Sequence, residues 1–264
     1  MMGVDKDHED LKNKVQGDVG YYSPHGTHVA GIAAAKTDND TGIIGIDWHA
    51  RIWAEKIKDY TISELSDAVI NAVNAGCKIL NNSWGVKDYS PTLYSAFTYA
   101  YQMGALPVSS MSNTSAPHDY PKRFGFWMMN VGSTTRRDRL ASHSVTGYWI
   151  DVGAPGVDIF STLPGNSYGY KTGTSMSAPI VSGIAGLMLG ANPYLKNYDL
   201  EWIIKLTATD IEDPGFDKET GYGRVNADTA VKYSLTPYEI TREDAPPLVL
   251  KWHDKKPRVR HPPR

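Results

Sequence analysis

Short apolar runs alternate with helical repeats along most of this chain, and that alternation leaves few folds open. Runs over 50–57, 78–84, 106–110, 126–131 and 149–152 have the length and composition of strands. Between them, Leu65, Ala68, Val69, Ala72 and Val73 recur at helical spacing. They follow Thr61-Ile62-Ser63-Glu64, which has the form of a capping box, and Gly76 stands where that helix should stop. Leu93, Ala96, Phe97, Ala100 and Tyr101 mark another helix, closed by Gly104. Helices over 28–35, 200–206 and 227–233 complete the pattern. Apolar strands separated by helices predict an α/β fold with a parallel sheet covered on both faces.

At 264 residues the chain can bury a single large core. Its net charge of −2 gives no reason to expect nucleic acid as a partner. A single cysteine, Cys77, excludes an intrachain disulfide and reads as a buried thiol after a helix. The longest apolar run, 178–191, is too short and too glycine-rich for a membrane span, and no basic-then-apolar leader opens the sequence. A soluble protein with no membrane partner is expected. From residue 235 proline and charge dominate, and Lys255, Lys256, Arg258 and Arg260 cluster near the end. A disordered extension is the expectation there, with a basic interaction arm as the alternative.

Two segments carry chemistry. In Gly173-Thr174-Ser175-Met176-Ser177-Ala178-Pro179 a serine sits among small residues at the start of a buried helical run. A helix beginning there aims free N–H groups at whatever lies above Ser175. Pro179 is expected to fall in the first turn, where its missing N–H costs nothing. Upstream, His25-Gly26-Thr27-His28-Val29-Ala30-Gly31 supplies an imidazole ahead of another small, apolar helix. His25 is the candidate general base, since histidine titrates near neutral pH. The His25/His28 spacing also permits a metal pair, but no Glu lies between them and no third ligand is evident. His28 reads as a packed neighbour, and His8, His49, His118 and His143 as structural or surface residues.

In that order, the two segments resemble the subtilisin-like serine proteases, over residues 3 to about 232. The nearest rival using the same chemistry is an α/β-hydrolase esterase, and motif and order both favour the subtilisin-like reading over it. Its elbow needs glycine where Ser177 stands, and its histidine follows the serine. The resemblance implies a catalytic domain over 1–234 with a three-layer α/β/α fold and a mostly parallel sheet. It implies a serine endopeptidase acting on a peptide or protein substrate through an acyl-enzyme on Ser175, as a monomer. His25 is then base and acid, and Asn113 the oxyanion donor, reached through Met111-Ser112 where the family has a glycine before the asparagine. Asn81-Asn82-Ser83-Trp84-Gly85 resembles the family's substrate edge, so Ser83, Trp84 and Gly85 are expected to face Ser110, Met111 and Ser112 across the pocket. Trp84 has a core role as its alternative.

The resemblance also exposes a gap. Gly3-Val4-Asp5 and His8-Glu9-Asp10-Leu11 match the segments that come after the family's catalytic aspartate, which places that acid on Met1 and its hydroxyl neighbour on Met2. The strand leading into the motif is missing too. The expectation is a truncated product or a misplaced start, folding poorly and cleaving little, with Asp5 too far along to substitute. A non-catalytic peptide-binding pseudoprotease is the alternative. The loop Thr37-Asp38-Asn39-Asp40-Thr41-Gly42-Ile43 is either a solvated turn or the family's structural calcium loop. In the second case the ligands are the Asp10 and Asn39 side chains and the Thr37, Thr41 and Ile43 carbonyls. Relatives are often exported, although the start of this chain gives no such signal.

Overall fold

The computed structural model describes residues 3–18, 20, 22–114 and 120–236. Met1, Met2, His118 and the tail beyond 236 lie outside the described residues, and so do the expectations placed on them. The elements in chain order are β1 (Val15–Gly17), α1 (Pro24–Ala34), β2 (Ile52–Ala54), α2 (Ile62–Asn74), β3 (Ile79–Asn82), α3 (Pro91–Gln102), β4 (Leu106–Ser110), β5 (Met129–Thr134), β6 (Val152–Pro155), β7 (Ile159–Leu163), β8 (Ser167–Lys171), α4 (Thr174–Ala191), α5 (Asn197–Leu206) and α6 (Ala227–Leu235).

Four strands form a parallel sheet in the order β3-β4-β5-β6. β4 and β5 are buried at every residue, as strands covered on both faces must be. The pleat sends successive side chains to opposite cores. Ile79 packs with Val181 and Met188 of α4 and Ile203 of α5. Leu80 joins Leu65 and Val69 of α2 with Leu93 and Phe97 of α3. The architecture is therefore three layers, α/β/α, as expected. Leu65, Leu93 and Phe97 are fully buried, and each such side chain contributes roughly 1.5–3 kcal/mol. β1 and β2 make a separate parallel pair, and β7 and β8 an antiparallel hairpin.

Helix ends follow their sequence signals. The Thr61 hydroxyl accepts the Glu64 N–H at 3.2 Å, and the Glu64 carboxylate accepts the Thr61 N–H at 3.2 Å. At the other end of α2, Gly76 takes φ +89°, so its N–H reaches the Val73 carbonyl and that of Cys77 the Ala72 carbonyl. Gly104 closes α3 with the same pair of bonds, to Tyr101 and, through Ala105, to Ala100.

Several expectations need correction. The run over 50–57 yields only three strand residues, 52–54. Within 126–131 a 3₁₀ turn, Gly125–Trp127, comes first and β5 starts at Met129. Residues 149–151 belong to a turn, in which Ile150 N–H meets the Gly147 carbonyl, and β6 begins at Val152. Gly153, Ala154 and Pro155 continue β6. Gly153 donates to the Gly223 carbonyl and accepts the Val225 N–H, at 2.9 Å each, and a Cβ there would lie 2.7 Å from Thr134 Cγ2. β1 and the β7–β8 hairpin escaped the sequence reading. That hairpin packs on α1, where Ser161 and Thr162 hydroxyls donate to the His28 and Thr27 carbonyls at 2.8 and 2.7 Å. α4 spans 18 residues, long and apolar enough by composition to cross a membrane, but most of it is buried in this core.

Pro179 also differs from expectation. α4 starts at Thr174, so Pro179 is its sixth residue and lies in the second turn. There proline removes the donor due to the carbonyl four residues back, that of Ser175. The Ser83 hydroxyl fills the place, donating to the Ser175 carbonyl at 2.9 Å.

Candidate active site

His25 and Ser175 occupy equivalent positions, each the second residue of its helix. α1 is started by Ser23, whose hydroxyl accepts the Gly26 N–H at 2.9 Å, and by Pro24. α4 follows Gly173 at φ +155° and ψ 161°, backbone that only glycine adopts without strain. The two helices pack together. Val29, one turn beyond His25, and Met176, next to Ser175, share one buried cluster. Both candidate residues are thus carried on the first turns of packed helices, half-buried. The Ser175 hydroxyl lies 3.4 Å from the Ser83 carbonyl. Burial, and secondarily the positive charge of Lys171 at the end of β8, hold the His25 pKa below the ordinary histidine value.

Asn113 sits beside Ser175. Its Oδ1 accepts the Thr174 N–H at 2.8 Å and the Thr174 hydroxyl at 3.0 Å. A backbone N–H can only donate, so Oδ1 must face Thr174, and Nδ2 is left as the outward donor. A Cβ on Gly173 would lie 3.0 Å from that Nδ2. Ser112, the residue in the family's glycine position, is held at φ +98°, a region costly for a residue with a side chain. Ser112→Gly is expected to stabilise the chain by about 1 kcal/mol, read as a higher denaturant midpoint at unchanged slope.

A cleft of about 210 Å³ is lined by Trp84 and Gly85 on one side, Ser110, Ser112 and Asn113 on the other, and Thr174 and Ser175. The expected substrate residues are therefore brought together, with two exceptions. Ser83 is buried and spends its hydroxyl on Ser175. Met111 is fully buried, so its side chain belongs to the core and faces no substrate. Trp84 serves both readings, packing near Phe97 while lining the cleft. Tyr120 and Lys122 also line the cleft and were not anticipated. Tyr120 is placed by a two-way backbone bridge to Val86, a pairing across 34 residues that no local pattern announces.

His28 and His8 have structural roles. His28 is buried with Nε2 3.0 Å from the Gly169 carbonyl, and burial pulls its pKa down to about 4. His8 accepts the Asp10 N–H at Nδ1 and donates from Nε2 to the Ser167 carbonyl. Asp5 does not substitute for the absent acid. Its carboxylate accepts the N–H groups of Asp7 and of Gly165 in the hairpin turn. Cys77 is half-buried, its thiol pKa pushed up by burial and then by Glu55.

Of the residues named for calcium, Asp10 is hydrogen-bonded within the protein. Asp10 and Asn39 do meet, but Asn39 turns its Nδ2 donor toward Asp10, at 2.8 Å. Ile43 presents its N–H there, at 2.9 Å, and the Tyr168 hydroxyl donates to the same carboxylate. All three of these donors fall on the Asp10 carboxylate. Among the described residues no group of three or more His, Cys, Asp or Glu could hold a metal.

Comparison with known proteins agrees with this geometry. The Subtilase family profile matches residues 2–223. Over 244 residues the chain is 39% identical to a thermophilic serine proteinase of Bacillus sp. (strain AK1), covering 88% of this chain and 60% of that protein. It is 36% identical to thermitase of Thermoactinomyces vulgaris, covering 88% of this chain and 86% of that one. The crystal structure of fervidolysin from Fervidobacterium pennivorans superposes with a TM-score of 0.81 at 32% identity, over 88% of this chain and 41% of that chain. Among these relatives, the chain spans 60% of the proteinase's length and 40% of fervidolysin's. On the extent of that match, and with histidine, serine and asparagine arranged as described, the chain belongs to the subtilase family.

Proposed function

We propose that this chain carries the nucleophile, base and oxyanion donor of a serine endopeptidase, with the residue that orients the base absent from positions 1–264. The Ser175 hydroxyl attacks the peptide carbonyl. His25 takes its proton and returns it to the leaving amine, and water then hydrolyses the acyl-enzyme. Substrate lies as an extended strand along the 83–85 edge, held by main-chain bonds. The observation that supports this most directly is the locked Asn113 amide. With Oδ1 committed to Thr174, Nδ2 is preorganised beside Ser175, and one such donor is worth roughly 10²–10³ in kcat.

Position 1 holds methionine, which cannot orient an imidazole or stabilise its cation. Slow turnover is therefore expected of the chain as it stands. A fluorophosphonate probe tests the reading. Slow labelling at Ser175, abolished by Ser175→Ala and by His25→Ala, is the expected result. No labelling with retained peptide binding in the cleft would instead favour a pseudoprotease.

The same probe gives a pH dependence. The base works only when neutral, so labelling rises with pH through the His25 pKa. Burial and Lys171 lower that pKa, which puts the midpoint below the usual histidine value of about 6.5. A midpoint above it would mean that His25 has an anionic neighbour this chain does not supply.

A further inference from the structure

Lys122 is an unusual residue to find on the wall of the cleft. It is 3% exposed, whereas lysine is almost never fully buried unless its charge has partners. It borders the same space of about 210 Å³ that Ser175 borders. The backbone fixes it there from two sides. Two residues ahead, Tyr120 exchanges backbone bonds with Val86, at 2.8 and 3.2 Å, which ties the segment to the end of the 83–85 edge. From the other side the Asn130 amide, buried in β5, donates to the Lys122 carbonyl at 2.9 Å and to the Trp149 carbonyl at 2.8 Å. The main chain of Lys122 is thus clamped between that edge and the centre of the sheet.

The rest of the lining suits an anion. Ser109, Ser110, Ser112 and Tyr120 contribute hydroxyls, and Asn113 an amide. Among the described residues no Asp or Glu lines the cleft, so its one formal charge is positive. A charge held out of water acts more strongly than one on the surface. A second cation, Lys171, stands four residues ahead of Ser175 and helps to hold the His25 pKa down. A cleft with cations at hand and low-dielectric walls draws in substrate of the opposite sign. Ser175 and Asn113 also decide which part of a substrate enters. A side chain lodged here lies beside the attacking hydroxyl and the oxyanion donor, so it belongs to the residue whose carbonyl is cleaved.

We propose that Lys122 makes the cleft selective for an acidic side chain, glutamate or aspartate, on the residue ahead of the cleaved bond. This rests on the protease reading above. The ammonium donates a charge-assisted hydrogen bond to the incoming carboxylate. Lys122 has a further interaction within the chain, and an ammonium, with three donors, can keep it while holding substrate. A lysine or arginine side chain in the same place sets like charges together and is rejected.

The test uses the full chain and peptidyl phosphonates that differ only in the residue bearing the phosphonate: glutamate, glutamine, phenylalanine or lysine. Labelling of Ser175 is followed by intact mass. Glutamate is expected to label about tenfold faster than glutamine, its uncharged counterpart, and lysine slowest of all. In Lys122→Met glutamate should lose its advantage, while the phenylalanine probe still labels and so shows the site intact. Lys122→Arg should keep the preference. Lys87→Met removes the same charge from the exposed residue after Val86, and should leave the glutamate-to-glutamine ratio as it was. Equal rates for glutamate and glutamine in the parent chain would overturn the proposal, and that comparison needs no variant. So would a preference that survives Lys122→Met. Labelling by phenylalanine without any preference for glutamate removes this proposal and leaves the protease reading standing. If no phosphonate labels, the same side chains are compared in peptide amides by their Kd for the chain. Tighter binding of the glutamate peptide, lost in Lys122→Met, supports the acidic selectivity and counts against the protease reading, whereas equal Kd values overturn the proposal.

Discussion

Met1→Asp, made in a chain extended by an apolar strand ahead of residue 1, is expected to raise kcat on a peptide substrate about 10⁴-fold over the same extended chain with methionine. The figure comes from subtilisin itself, where removing the triad carboxylate alone costs roughly 3 × 10⁴ in kcat and removing serine or histidine roughly 2 × 10⁶. The three groups act as a unit, so their losses do not add. Ser175→Ala should therefore cost about 10⁶ with the aspartate in place, and only about 10² in the chain as it stands, the ratio of those two figures. Steady-state kinetics on the four variants measures both. A serine deletion that costs the same in each background would mean that position 1 does not act through His25. The pH profile moves with it: a carboxylate beside the imidazole raises its pKa, so the acidic limb shifts upward.

Lys205→Met is expected to destabilise the fold by about 3–5 kcal/mol at neutral pH. Lys205 stands in a buried triad, 2.7 Å from Asp151 and 2.5 Å from Glu201. Burial alone would lower its pKa, but the charges of Asp151 and Glu201 outweigh that and raise it. Asp151 also accepts the Asn130 N–H at 2.7 Å, at the start of β5, so the triad fixes the central sheet. Without the ammonium two carboxylates share one dry site. Glu201, whose pKa burial already raises, is then pushed further up. A carboxylate with a raised folded pKa binds more protons folded than unfolded, so stability falls as pH rises from the ordinary glutamate value through the folded one. The variant should approach the parent near pH 4 and lose ground toward pH 7, in denaturant titrations at several pH values.

Sequence carried the helices further than the strands. The Thr61 box, Gly76 and Gly104 are local devices, and each formed as its residues dictate. The bond from Gly153 to Gly223 joins residues 70 apart in the chain and leaves no local mark. The Asn113 lock on Thr174 and the Tyr120 bridge to Val86 are long-range in the same way. His25, Ser175 and Asn113 were legible as candidates because each stands in a short motif of particular groups after a particular turn. Met111 was misplaced because a motif names neighbours in the chain, while burial decides which of them turns inward. The loop over 37–43 kept two readings because an oxygen-rich composition does not say whether a neighbouring carboxylate, such as that of Asp10, already has donors.

The proline in the second turn of α4 has a mechanical consequence. By withdrawing a rung from the helix it hands the carbonyl of Ser175, the proposed nucleophile, to the edge along which substrate is proposed to lie. Tension applied to that edge by a docking peptide would reach Ser175 through two bonds to Ser83, the hydroxyl one at 2.9 Å and the carbonyl one at 3.4 Å. Docking and the aim of the proposed nucleophile are thereby geared to one another.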